Sequence, residues 1–172
     1  MIRLSNSISR GLSAALLFAL LPGACLLAEE PVRGPLPESQ QDLIHQLARS
    51  HEKIQRQVTL TETGYEATTT STDPVIAAAL RAHVAYMQKR IAAGSMVRRW
   101  DPAYVEMIAH QKDLTLGVVE LPNGLQVTMV GATPEAVAVA HNHARIVSGF
   151  VEEGPPAVRR EHAPALEKPD GS

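Results

Sequence analysis

The chain has 172 residues, 16 lysines and arginines against 18 aspartates and glutamates, and a formal charge of −2. This mildly acidic balance excludes the strongly basic class of nucleic-acid-binding proteins. Its length suits a single domain, and Cys25 is the only cysteine, so no internal disulfide can form and stability must come from packing.

The first 28 residues have the pattern of a bacterial export signal. Two arginines precede an apolar run over residues 11–21, which is shorter than the roughly 20 residues that a membrane span needs. Cleavage after Ala28 would release a periplasmic protein. Alternatively, residues 21–25 resemble a lipobox, in which case Cys25 would carry a lipid and anchor the protein to a membrane.

The first half of the remaining chain predicts a linker, a helix, a hairpin and a second helix. Residues 29–39 are rich in proline and read as the linker. Apolar spacing predicts a helix over residues 40–57, and alternation around a glycine predicts a β-hairpin over residues 58–69. Asp73 stands before a proline and should cap a helix that runs to about Ala93.

The second half predicts the same order of elements. A short helix is expected over residues 103–112, and a hairpin with an Asn-Gly turn over residues 114–130. Thr133 before Pro134 repeats the cap, and the last helix should run to about Glu152. Residues 154–172 combine prolines with charges and predict a disordered tail.

Residues 58–94 and 118–154 match at a shift of 60 positions, which indicates a tandem repeat. The coincident residues are Gly64 with Gly124, Pro74 with Pro134, His83 with His143, and Gly94 with Gly154. With one inserted residue the match extends upstream and aligns His51 with His110.

This repeat predicts an α+β fold over residues 40–153. Each unit, residues 40–94 and residues 103–153, reads as helix, β-hairpin and helix. A lone hairpin cannot bury its apolar face, so the two hairpins should join into a four-stranded antiparallel sheet. The helices should pack on one face of that sheet, around a pseudo-twofold axis.

The repeated histidines indicate a metal site. His83 and His143 lie on the apolar faces of their helices, and neutral imidazole is the commonest metal ligand in proteins. Met87 follows His83 by one helical turn and adds a thioether, which suits copper, while His/His or His/Met pairs can bind haem iron. The sequence therefore predicts a metal-binding envelope protein, copper before haem, with His51 and His110 as outer ligands.

A second interpretation needs no cofactor. Histidines on apolar faces are often core residues, methionine often fills irregular gaps in cores, and His51 and His110 lie where helix C-termini favour a cation. The chain would then be a structural or interaction module of the envelope, with a second copy or another envelope protein as partner. Signatures of serine hydrolases, phosphate-binding loops and dinucleotide-binding loops are missing, so no feature points to an enzyme.

Residues 98–102, Arg-Arg-Trp-Asp-Pro, also allow two interpretations. Trp100 with its arginines could cover an anionic ligand such as a haem propionate. Alternatively, Asp101 caps the next helix and Trp100 anchors the crossover between the repeats, which is the interpretation that we favour.

Three segments, Ser71–Pro74, His83–Met87 and Arg99–Pro102, resemble a family of small exported bacterial proteins of unknown function. The resemblance covers the chain from about Leu43 to Gly154. It implies a recurring module and bacterial export, and it implies no catalytic residue.

Overall fold

The architecture comes from a computed structural model that describes residues 32–95 and 97–166. The predicted export signal and Cys25 lie outside these residues, as do the last six positions of the predicted tail. Within the two described ranges, no helix is both long and apolar enough to cross a membrane.

The chain folds as two copies of a helix–hairpin–helix unit, followed by a short helix. The first unit comprises α1 (Glu38–Arg49), a 3₁₀ turn (His51–Lys53), β1 (Ile54–Thr61), β2 (Gly64–Ser71) and α2 (Pro74–Ala92). The second comprises α3 (Pro102–Ala109), a 3₁₀ turn (Gln111–Asp113), β3 (Leu114–Leu121), β4 (Gly124–Gly131) and α4 (Pro134–Glu153), and α5 (Pro155–Arg159) follows it. The ends of α1 and α3, both 3₁₀ turns, all four strands and the starts of α2 and α4 are related by the 60-residue shift.

The four strands form one antiparallel sheet in the order β1-β2-β4-β3, which confirms the predicted α+β class. The two hairpins join through β2 and β4, where Ala67 pairs with Val127. Helices α2 and α4 both pack on the sheet. Residues that point to the other face, such as Gln55, Gln57 and Glu66, are exposed. The helices therefore cover one face, and the other is open to solvent.

Both long helices begin at the predicted caps. Asp73 accepts a hydrogen bond from the backbone N–H of Val75 at 3.0 Å, and Thr133 accepts one from Ala136 at 3.2 Å. Each cap is followed by a proline. Proline lacks a backbone N–H, but this costs nothing in the first turn of a helix, where the N–H groups have no acceptor within the helix. These local signals explain why the helix starts were readable from sequence.

The first helix is shorter than we predicted, because α1 ends at Arg49 and β1 already begins at Ile54. From Ile54 onward the chain alternates between residues facing the helices and exposed glutamines, and all eight residues of β1 pair with β2. Ladder pairing along the whole strand outweighs the weak helical spacing of this segment.

The upstream alignment of His51 with His110 is also wrong. The 3₁₀ turn at His51–Lys53 matches the turn at Gln111–Asp113 by the same shift of 60 that relates the strands. His51 therefore corresponds to Gln111, and no inserted residue is needed.

Residues 154–166, which we predicted to be disordered, form α5 and contacts with the domain. The ring Nδ1 of His162 lies 2.8 Å from the carboxylate of Asp101, and the backbone N–H groups of Ala165 and Leu166 donate to Glu106 at 2.6 and 3.0 Å. These acceptors are about 60 positions away in the chain, so composition alone gave no sign of them.

Candidate functional site

A cavity of about 770 Å³ lies between the covered face of the sheet and the helices. Most of its wall is aliphatic or contains methionine, including Leu47, Leu80, Leu116, Leu125, Val127 and Met129. Pockets for small molecules usually measure roughly 300–1,000 Å³ and have mostly apolar walls with a few polar groups. By size and composition this cavity belongs to that class.

Three of the five predicted ligands lie on this wall. His83 and Met87 reach it from α2, and His143 reaches it from α4. The Nδ1 atom of His83 is buried and has no hydrogen-bond partner within residues 32–95 and 97–166. The ring of His143 packs between two tyrosines, with centroids 6.4 Å from Tyr65 and 5.7 Å from Tyr104.

Both cavity histidines are neutral near pH 7. By accessible area each is only half-buried, because each faces the open space of the cavity. Burial nevertheless lowers the pKa of His83 to about 4, and burial together with the charge of Arg56 lowers the pKa of His143 to about 4. Each imidazole therefore has a lone pair free to bind a metal or accept a hydrogen bond.

The other two predicted ligands lie elsewhere. The Nδ1 atom of His51 is 3.0 Å from the carbonyl oxygen of Val151, and its ring packs so closely on Gly154 that a Cβ there would overlap it. His110 is the C-cap residue of α3. No cluster of three or more His, Cys, Asp or Glu side chains suited to a metal ion occurs in the described part of the chain.

One end of the cavity is polar, and its central group is Arg56 of β1. The Nη1 atom of Arg56 donates to the hydroxyl of Thr69 at 2.8 Å, while its buried Nε has no partner among the described residues. Burial lowers the pKa of Arg56, and the hydroxyl of Tyr65 opposes this shift. Burial also raises the pKa values of Tyr65 and Tyr104, so both phenols are neutral.

The repeat makes the polarity of the cavity uneven. Shifting the polar residues by 60 positions pairs Arg56 with Leu116, Tyr65 with Leu125, Thr69 with Met129, and Tyr104 with Ile44, and all eight residues line the wall. Helix α4, which carries His143, contacts β1, whereas α2, which carries His83, contacts β3. The half beside His143 is therefore polar, and the half beside His83 is apolar.

The charges on the wall are all positive. In the described part of the chain the wall contains arginines and histidines but no aspartate or glutamate. Arg98 is neutralised from outside the wall, since its guanidinium lies 3.0 Å from the carboxylate of Asp101. Arg49 and Arg159 are exposed to solvent. Arg56 is thus the inward-facing cation without a carboxylate partner among these residues.

Asp101 has the capping role that we favoured, while Arg98 and Trp100 also line the cavity, so both interpretations of Trp100 stay predictions. The Asp101 carboxylate caps α3 by accepting from the N–H of Ala103 at 3.3 Å, and Arg98 also donates to the carbonyl oxygen of Val158 at 2.6 Å. The Arg98 guanidinium stacks over the Trp100 ring at 4.2 Å, and Trp100 is 49% exposed. These contacts fix the crossover and the C-terminal segment together.

Sequence reasoning missed Arg56 and its tyrosine neighbours, although a signal was present. Arg56 stands between Ile54 and Val58 on alternate positions of β1, so it points to the covered face. At the same place in the second repeat the chain has Leu116. A charged residue at a position that is apolar in the other repeat indicates a binding site.

Comparisons with protein-family models, with curated proteins and with solved structures found no match to this chain. The resemblance to small exported bacterial proteins therefore stays an expectation.

Proposed function

We propose that this protein is an exported binding protein that holds a metal-containing ligand in its cavity, with haem b as the first candidate and a copper ion as the second. One observation carries the proposal: two repeat-equivalent, neutral histidines lie on the wall of one apolar cavity of about 770 Å³.

Because of the volume of the cavity, we now place haem before copper, whereas the sequence analysis predicted copper before haem. A bare ion needs several ligand atoms within about 2.0–2.3 Å of one point, and it needs no large apolar space around them. Haem b has a flat apolar ring that can cover aliphatic walls, and its iron binds imidazole or thioether ligands. His83, His143 and Met87 line the cavity and would supply those groups.

Copper stays the second candidate because of the donor set itself. Met87 follows His83 by one turn of α2, and both lie on the cavity wall. Thioether sulfur and neutral imidazole are ligands that copper accepts, and no proton must leave either histidine near pH 7.

The proposed location is the bacterial envelope, on the grounds of the export pattern in residues 1–28. Cleavage after Ala28 would give a periplasmic protein, and lipidation of Cys25 would give a membrane-anchored one.

Titration of the purified chain with haemin, Cu(I), Cu(II) and Zn(II) tests the proposal. We expect one haemin per chain, with binding lost in the His83→Ala/His143→Ala variant and kept in a His110→Ala control. Each variant should first show a cooperative unfolding transition, so that lost binding can be separated from lost folding.

The copper candidate predicts Cu(I) binding that needs Met87 as well as the two histidines. If none of the four probes binds, or if the histidine variant binds as well as the parent, the metal proposal is wrong. The cofactor-free interaction module, whose histidines only pack and cap, would then be the better account.

A further inference from the structure

Arg56 is an unusual residue for the place that it occupies. Its neighbours on the same face of β1 are Ile54 and Val58, and its counterpart in the second repeat is Leu116. Enclosing a guanidinium beside apolar residues costs free energy unless an anion or a full set of acceptors compensates it. Packing alone would therefore favour leucine here, as in the second repeat.

The groups around Arg56 compensate its charge incompletely. It donates to the hydroxyl of Thr69 at 2.8 Å, and it is also hydrogen-bonded to the phenol of Tyr65. Neither group is an anion, and the Nε atom is buried without a partner among the described residues. A guanidinium can bind a carboxylate through two parallel N–H groups, which makes a carboxylate the natural partner for this side chain.

The polarity of the cavity shows where the rest of such a ligand would lie. Tyr65 and Arg56 lie near His143. Helix α2, which carries His83, packs on β3, where the cavity wall has Leu116 in place of Arg56. A molecule with an acid group at one end and an apolar body would match both halves. Arg49 and Arg159 line the cavity where it meets solvent, and their charges attract anions toward it.

We infer that the cavity binds an amphipathic carboxylate, with its acid group on Arg56 and its apolar body directed toward His83. This inference rests on the proposed function, namely that the cavity holds a ligand. A fatty acid and a haem propionate share this chemistry, and the experiment below separates these two sources.

The test compares probes that differ only in the acid group. Dodecanoate is compared with dodecan-1-ol, and haemin is compared with its dimethyl ester, by titration into the full chain. We expect the acid of at least one pair to bind about tenfold more tightly than its neutral partner, because a charged hydrogen-bonded pair usually contributes that much. The pair that shows the preference identifies the source.

Arg56→Leu, which restores the residue of the second repeat, should abolish the preference for the acid. Arg56→Lys should keep part of the preference for the acid, because lysine keeps the positive charge but lacks the two parallel N–H groups of the guanidinium. Arg145→Leu, which removes an exposed arginine of α4 outside the cavity wall, should leave the preference unchanged. The thermal unfolding midpoint of ligand-free Arg56→Leu should equal or exceed that of the parent.

Two results would overturn the inference while leaving the proposed function in place. One is equal binding of acid and neutral probes by the parent, and the other is an acid preference that survives in Arg56→Leu. A lower unfolding midpoint together with an unchanged preference would give Arg56 a structural role instead. If all four probes fail to bind, both this inference and the proposal of haem as the ligand are wrong.

Discussion

Ala67 pairs with Val127 across the centre of the sheet, and these two residues are each other's repeat equivalents. A residue paired with its own equivalent lies on the symmetry axis, so the pseudo-twofold axis passes between them. His83 follows Ala67 by 16 positions and His143 follows Val127 by 16. The same axis therefore brings both histidines to one cavity on the covered face of the sheet.

The axis also predicts matched effects at two glycines. A Cβ at Gly64 would overlap the carbonyl oxygen of Met129, and a Cβ at Gly124 would overlap that of Thr69, the repeat equivalent of Met129. Gly64→Ala and Gly124→Ala should each lower the free energy of unfolding by about 2 kcal/mol or more, because strand backbone must move. Urea unfolding of the two variants measures this loss.

Gly117→Ala is the matched control. This glycine is exposed on β3, and its added Cβ would come no closer than 3.8 Å to Thr128. Its free energy of unfolding should stay within about 0.5 kcal/mol of the parent. Equal losses at all three positions would contradict the role of the axis.

Much of this fold could be predicted because its signals are local and occur twice. Glycine turns, Asp73 and Thr133 caps and alternating strands all depend on neighbours in the chain, and the second copy confirmed the register of the first. The end of α1 at Arg49 could not be predicted from local signals, because the residues that follow it pair with β2 and form β1 instead of continuing the helix.

The site was only partly readable from sequence. His83, His143 and Met87 could be placed on apolar helix faces by periodicity, and all three line the cavity. The cavity itself depends on the distance between the helices and the sheet. The hydrophobic periodicity of a helix shows which face is buried, but it does not give this distance. The contacts of residues 160–166 depend on acceptors such as Asp101, which are distant in the chain.

Stability should fall with acid through the two cavity histidines. Their pKa values are about 4 in the fold, against about 6.5 in an unfolded chain, so only the unfolded state takes up their protons between these pH values. Above about pH 6.5 both histidines are neutral in the folded and the unfolded state, so they do not lower the free energy of unfolding. It falls by about 1.4 kcal/mol per pH unit for each histidine as the pH drops toward 4.

Urea unfolding at several pH values between 7 and 4.5 measures this slope. The His83→Gln/His143→Gln variant should lose clearly less stability than the parent as the pH falls. Parallel curves for the parent and the double variant would show that these histidines titrate normally in the fold.

Asp101 should hold the C-terminal segment in place. Its fully buried carboxylate interacts with the Arg98 guanidinium at 3.0 Å and with the ring and backbone N–H of His162 at 2.8 and 3.1 Å. Asp101→Asn leaves Arg98 without its anion and should lower the free energy of unfolding by about 3 kcal/mol. Trypsin should also cut faster after Arg159 and Arg160.

Glu161→Gln changes an exposed acid in the same segment and serves as the control. It should leave both stability and the rate of cleavage near the parent values. If Asp101→Asn is cleaved no faster than this control, the segment is held by other contacts.

Blocking the cavity beside His143 tests the central claim most directly. Val147 lies on the wall one turn after His143, so Val147→Trp should place an indole beside that histidine and block the ligand's access to it. Native mass spectrometry of the full chain with haemin, or with dodecanoate, counts the ligands that each protein holds. We predict one ligand per parent chain and none on a folded Val147→Trp chain. Ligand retained by the Val147→Trp variant, or a parent that holds neither probe, would contradict the account.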